Sequence, residues 1–168
     1  MSAFRLANGL QVWIRPIGPD DKAELQAGLR RLSRETIERR FLAAKPRFSS
    51  AELHYLTEID GVNHLALAAV SLQTGHIVAV ARCVRLSDRP DTAEWAIVVA
   101  DALQRKGLGR HLSRLLAERA IAAGIRRFSA TMQGDNVAVA RLLAHMHGVV
   151  ERDELHHGVR EVVLAVAA

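Results

Sequence analysis

Between Glu94 and Arg110 the sequence reads EWAIVVADALQRKGLGR, and two parts of it carry groups able to do chemistry. Glu94 is the one charged residue in the apolar run from Ala93 to Ala100. Strand alternation puts it on the face of Ala96 and Val98, opposite Trp95, Ile97 and Val99. A carboxylate there can take a proton from an ammonium group, directly or through water, and partial burial would raise its pKa toward neutrality and improve it as a base. The plainer role is a solvated carboxylate at the start of a strand. Farther on, the run enters a loop and then a helix N-terminus with glycines at Gly107 and Gly109. Such a loop suits anions: free backbone N–H groups and the positive end of the helix dipole meet the ligand, and glycines let it approach the backbone closely. Arg105, Lys106 and Arg110 add full charges at the same point. The P-loop and the dinucleotide fingerprint both fail at Leu112, which stands where each needs a glycine. On the glycines alone, the loop could simply precede a surface helix with solvated arginines.

The elements that must position these groups follow from hydrophobic period and punctuation. Gln11 to Ile17 alternates and reads as a first strand; Pro19-Asp20-Asp21 opens a helix with Leu25, Leu29 and Leu32 as its stripe. Ser33 with Thr36 starts a second helix, and Ser50 is expected to cap a third carrying Leu53, Leu56 and Ile59. His64 to Ser71 and His76 to Val84 read as strands joined by a turn at Gln73-Thr74-Gly75, and Thr92 to Ala100 as the next. A helix follows from Gly107 to Gly124, then a strand from Ile125 to Met132, a helix from Asn136 to His147, and a hairpin of Val149 to Asp153 and Val159 to Val166. That order implies a mixed sheet with helices on its faces.

With 168 residues, 49% of them hydrophobic, the chain can bury a core without staples, and one domain over residues 1–168 is expected. A single thiol, Cys83, excludes an internal disulfide framework and fits a reducing, cytoplasmic setting. No basic and apolar leader opens the chain and no apolar run is long enough for a membrane span, so no membrane partner is expected. The net charge is +5, and the segment from Asp101 to Arg127 holds seven cations against two acids, which is the whole excess. A compact anion at that segment is a better guess than nucleic acid, because interleaved aromatics are missing.

Gln104-Arg105-Lys106-Gly107-Leu108-Gly109 fits Q/R-x-x-G-x-G/A, and the chain resembles the Gcn5-related N-acetyltransferase (GNAT) superfamily, whose acyl-CoA pyrophosphate loop has this form. The resemblance covers nearly the whole chain. Ile14-Arg15-Pro16-Ile17 and Leu56-Thr57-Glu58-Ile59-Asp60 are similar to the acetyltransferase domain of bacterial protein-lysine acetyltransferases. The resemblance implies an α/β (α+β) fold with a mixed, mostly antiparallel central sheet and helices on both faces. It implies an N-acyltransferase that moves an acetyl or other short acyl group from acyl-CoA, with acetyl-CoA as co-substrate and no metal, directly to a primary amine. The acceptor would be a protein lysine or a small amine, and a homodimer is compatible with it. By the same resemblance, Gln104 opens a loop in which the N–H groups of Arg105, Lys106, Gly107, Leu108, Gly109 and Arg110 hold the pyrophosphate. The main chain of Ile97, Val98 and Val99 would pair with the pantetheine arm and polarise the thioester carbonyl. Asn136 matches an asparagine that opens the next helix and reaches the pantetheine or acceptor side, or it is a plain N-cap. Glu94 matches the family's glutamate and would be the general base. The tyrosine that many members carry seven residues after the asparagine is here Leu143.

That missing acid keeps open a non-catalytic acyl-CoA sensor or partner-binding module on the same fold. Cys83 reads as a small core residue. His145 with His147, two apart on a helix, and His156-His157 beside Gly158 have little to offer a metal. Arg30, Arg31, Arg34, Arg39 and Arg40 with Glu35 and Glu38 read as a solvated face that could also attract an acidic substrate.

Overall fold

The computed structural model describes residues 2–146 and 148–166. Eight strands form one sheet: β1 (Ser2–Arg5), β2 (Gln11–Pro16), β3 (His64–Ser71), β4 (Ile77–Arg85), β5 (Thr92–Val99), β6 (Arg127–Gln133), β7 (Val149–His156) and β8 (Val159–Ala165). Their order is β1-β2-β3-β4-β5-β6-β8-β7, and every neighbouring pair is antiparallel except β5 and β6. Among the described residues five α-helices accompany it: α1 (Lys22–Arg31), α2 (Arg34–Phe41), α3 (Ser50–Thr57), α4 (Leu108–Ala122) and α5 (Val137–Ala144).

The strands at the centre are apolar throughout because both faces of the sheet are covered. On one face Leu65, Leu67, Ala81, Cys83, Trp95 and Ile97 pack with the α4 stripe of Leu108, Leu112, Leu116 and Ala120, and with Leu143 of α5. On the other, Ala66, Ala68 and Val80 pack under Leu25 of α1 and Leu53 and Leu56 of α3. The stripe of α4 recurs every four residues, which keeps it on one side of a helix. This helix closes with Ile125 N–H on Ala120 O (2.9 Å) and Gly124 N–H on Ile121 O (3.0 Å), a Schellman stop for which Gly124 adopts φ +90°.

Several boundaries depart from expectation. Strand β1 was not foreseen, since Ser2–Arg5 is short and gains its partners only from β2. The cap of α3 is Ser49 rather than Ser50: Ser49 Oγ accepts from Glu52 N–H and Glu52 accepts from Ser49 N–H, a reciprocal box that fixes the helix start. Helix α5 stops at Ala144, short of the expected His147, which lies outside the described residues, and β7 runs on to His156 instead of ending at Asp153. There His157 (φ +49°) and Gly158 (φ +80°) make the turn to β8. Among the described residues, no helix is long and apolar enough to cross a membrane.

Candidate functional site

The sheet splits where Glu94 stands. β5 pairs with β4 along its length from Ala93 to Val99, but with β6 only at Thr92, Ala93 and Glu94, whose partner there is Ser129. Beyond Glu94 one edge of β5 is therefore open. Which residues present their main chain at that edge follows from alternation: Ala100 N–H bonds Val78 O (2.8 Å), so the even-numbered residues turn their N–H and C=O to β4 and the odd-numbered ones turn theirs to the gap. Ile97 and Val99 thus face the opening. Val98 does not; its main chain serves β4 and its side chain packs in the second core.

The open edge ends at the glycine loop. After a short 3-10 turn at Asp101–Leu103, Arg105 (φ +58°) and Gly107 (φ +87°) bend the chain into α4, with Gly107 as its N-cap. The first bond of this helix goes from His111 N–H to Gly107 O (3.1 Å), and the N–H groups from Arg105 to Arg110 have no acceptor among the described residues. No acidic residue occupies the first turn of α4. Arg105 and Arg110 are exposed, and neither they nor Lys106 are in an ion pair among the described residues. Uncapped donors, a helix dipole and unneutralised cations converge on one point, which is the physical definition of an anion site. Leu108, the motif's apolar member, is fully buried and anchors the loop to the core. Gln104 braces it: its Nε2 donates to Val99 O (3.1 Å) and to Thr36 Oγ1 (3.1 Å). The same helix start is held by Asp101, which accepts from Ser33 N–H (2.9 Å), Ser33 Oγ (2.5 Å) and Thr36 Oγ1 (2.7 Å).

Glu94 itself is exposed, so the partial burial expected of it is absent: its partner β6 diverges at this point and nothing else covers the carboxylate. Its surroundings are nonetheless charged. α2 crosses this face and brings Arg40 close enough for the two charges to act on each other without forming an ion pair. Arg82 of β4 lies on the same face, buried, donating to His64 Nε2 (2.9 Å) and to Leu56 O (3.2 Å).

A family model described as the acetyltransferase (GNAT) family matches residues 31–149, the stretch that contains the split strand, the loop and both flanking helices. The chain belongs to this family. Acetyltransferase Pat of Mycolicibacterium smegmatis is 32% identical over 152 residues, which cover 90% of this chain and 45% of that protein. Acetyltransferase PA5475 of Pseudomonas aeruginosa is 29% identical over 150 residues, 88% of this chain and 80% of its own. Among solved structures, the GNAT domain of S. lividans PAT superposes with a TM-score of 0.88 at 29% identity, covering 98% of this chain and 96% of that one. The chain spans under half of the Mycolicibacterium relative and nearly all of the S. lividans domain.

In this GNAT chain the remaining residues sort themselves by burial. Asn136 is buried and its Oδ1 accepts from Val139 N–H (3.2 Å), so it is the N-cap of α5. Leu143 is 3% exposed and belongs to the core. Cys83 is buried, and burial pushes its thiol up to about 12, which makes it inert. His145 Nδ1 sits 2.6 Å from Arg141 O, closing the end of α5. Two residues escaped the sequence reading. Arg40 was grouped with solvated cations, yet Arg34 and Arg39 are paired with Glu38 (2.6 Å) and Glu35 (2.9 Å), while Arg40 turns inward with no acid bound. Arg82 had a signal: it is a lone charge within the apolar run IVAVARCV, the same pattern that singled out Glu94.

Proposed function

We propose that this GNAT domain, residues 1–168, transfers an acetyl or other short acyl group from acyl-CoA to a primary amine, a protein lysine or a small amine, with Glu94 as general base. The observation that carries the reading is the open edge of β5, with a carboxylate at one end and a ring of free N–H groups at the other. Five residue steps of strand lead from Glu94 to Val99, about 16 Å at the usual rise, a span suited to an extended pantetheine arm. The N–H groups of Arg105 to Arg110 would hold the pyrophosphate, with Arg105, Lys106 and Arg110 as counter-charges, and the Ile97 and Val99 main chain would align the arm and polarise the thioester carbonyl.

Glu94 takes one proton from the acceptor's ammonium group, and the freed nitrogen lone pair attacks the thioester carbon. The C–N bond forms, the C–S bond breaks as the tetrahedral intermediate collapses, and the nitrogen gives up its second proton to the departing thiolate through solvent. Leu143, buried in the core, supplies no proton. None is required from the protein, because a thiolate is already a good leaving group. Exposure keeps Glu94 in contact with water, so its proton passes on to bulk solvent.

Glu94→Gln keeps the size and polarity of the side chain but cannot accept a proton. Calorimetry should give unchanged acetyl-CoA affinity, while turnover falls by about 10²- to 10⁴-fold and recovers partly at high pH, where the amine deprotonates unaided. A rate equal to the parent's across pH would remove Glu94 as base. A parent protein that binds acetyl-CoA yet acetylates no amine would instead leave an acyl-CoA sensor.

A further inference from the structure

We propose that the acceptor is a free α-amino acid with an apolar side chain, its amine at Glu94, its carboxylate on Arg40 and Arg82, and its side chain in the cavity beneath α1, α2 and α3. This rests on the acyl-transfer reading for the fate of the amine, but its binding geometry stands apart from it.

The cavity has a volume of about 300 Å³ and lies between those helices and β4. Leu25, Leu29, Phe41, Phe48, Ile77 and Val80 contribute apolar walls, and Arg40 and Arg82 bring two cations to the same space. Its carboxylate, Glu24, is already engaged, paired with Arg31 and accepting from Ile77 N–H (3.0 Å). Neither arginine is in an ion pair among the described residues, and the nearest counter-charge, Glu94, acts on Arg40 only from a distance. Arg82 spends two of its N–H groups on His64 Nε2 and Leu56 O, both neutral acceptors, and Arg40 lies over the face of the Phe41 ring, 5.0 Å from its centroid, with no hydrogen bond to an acid among the described residues. Two guanidinium groups close enough to repel, one buried and one half-buried, form an expensive arrangement unless an anion joins them. Burial and the Arg40 charge push Arg82 down to about 10, so it remains cationic at neutral pH.

Register ties this cavity to the base. Arg82 pairs with Ala96 and Val84 with Glu94, so Arg82 and Glu94 are diagonal neighbours on one face, roughly 7–8 Å apart at the backbone. Val80 and Val98, the next pair along, belong to the cavity wall. The order along the face is carboxylate, two cations, apolar space. A zwitterionic amino acid presents the complementary order: ammonium, carboxylate, apolar side chain. A volume of this size is at the lower end of small-molecule pockets and suits one such residue. A lysine within a peptide would bring its ammonium to Glu94 with no carboxylate beside it and would supply no anion to pair with either arginine.

The test is calorimetry on the CoA-loaded protein with L-leucine, L-leucinamide and glycine, followed by an acetylation assay on the same three and on Nα-acetyl-lysinamide. Leucine should bind at least about 10-fold more tightly than leucinamide and than glycine, since charge-assisted hydrogen bonds and apolar burial each contribute at that level. Arg40→Met, checked by its unchanged affinity for acetyl-CoA, should bring leucine and leucinamide close to parity, and Arg40→Lys should restore part of the preference. Leucinamide or glycine binding as well as leucine would overturn the proposal, as would Arg40→Met binding leucine like the parent. Preferential acetylation of Nα-acetyl-lysinamide would overturn it while leaving acyl transfer standing. The expected binding preferences with no amine acetylated would uphold the site and overturn acyl transfer instead.

Discussion

Arginine has no acceptor to offer, so the contact between Arg82 and His64 Nε2 requires an unprotonated Nε2 and places the His64 proton on Nδ1. Burial first, and then the Arg82 charge, hold the His64 pKa down at about 4. The unfolded imidazole titrates near 6.5, so between that pH and 4 the unfolded chain binds the proton that the folded one refuses. Stability is therefore complete above pH 6.5 and is lost as pH falls toward 4, by up to about 3 kcal/mol from this one group. His64→Gln keeps an acceptor for Arg82 and removes the titration. Urea melts at pH 7.5 and 4.5 should show a smaller loss in the variant; an equal loss would assign the acid sensitivity elsewhere. The loop glycines differ in the same residue-level way. Gly107 sits at φ +87° with open space around its Cβ position, so Gly107→Ala should lower stability by about 1–2 kcal/mol through backbone strain alone. A Cβ on Gly109 would meet Leu142 and Val99 at 3.5–3.6 Å, ordinary contact, so Gly109→Ala should leave the melting transition unchanged or raised. With the pyrophosphate held at this loop as proposed, Gly109→Glu should abolish acetyl-CoA binding in calorimetry by adding bulk and negative charge, and undiminished affinity would displace the pyrophosphate from this loop.

Among the elements, α2 links the two ends of the site. Its first turn is bound to Asp101 and Gln104 at the anion loop, and four residues after Thr36 it delivers Arg40 beside Glu94. Asp101 is held below the usual carboxylate range: its own burial opposes this, and the donors of Ser33 and Thr36 outweigh it. Removing the carboxylate leaves those donors to water, so Asp101→Ala should cost about 1–2 kcal/mol of local stability. Hydrogen exchange should show faster exchange across α2 and little change in α4, whose Leu108, Leu112 and Leu116 are buried independently of Asp101. Equal protection of α2 in both proteins would mean that packing on the sheet, not this tie, holds the helix.

Over the whole molecule, charge is distributed more selectively than the sequence total suggests. Arg114 pairs with Glu118 (2.5 Å) inside the segment from Asp101 to Arg127, and Arg127 with Asp91 (2.5 Å) and Glu151 (2.7 Å) outside it, so two of its seven cations are answered locally. The cations that stay unanswered at the loop, Arg105, Lys106 and Arg110, surround one helix end rather than form a stripe. Acetyl-CoA affinity should therefore weaken as salt rises through the range where the Debye length falls below about 8 Å. Any duplex DNA retained by these cations should be displaced by saturating CoA, as fluorescence anisotropy would show. DNA retention unaffected by CoA would mark a separate nucleic-acid surface.

What the sequence determined by itself is local: periods, caps and motif spacing. Glu94 as a lone charge in an apolar run, the bend at Gly107, the stripe of α4 and the start of α2 at Ser33 are all written in residues a few positions apart, and the Q/R-x-x-G-x-G/A loop, read with the order of elements around it, pointed to the family. Features that depend on what lies across the sheet were decided only by the tertiary structure. β1 is a strand because β2 is beside it. Glu94 is exposed because β6 turns away after Ser129, and Val98 turns its main chain to β4 because the register with Val80 makes it do so. Arg40 looks in sequence like its neighbours Arg34 and Arg39; only the packing of α2 on the sheet turns it inward, toward Arg82 from a strand more than forty residues on. Proximity between residues so far apart in the chain is a property of topology, and no local spacing encodes it.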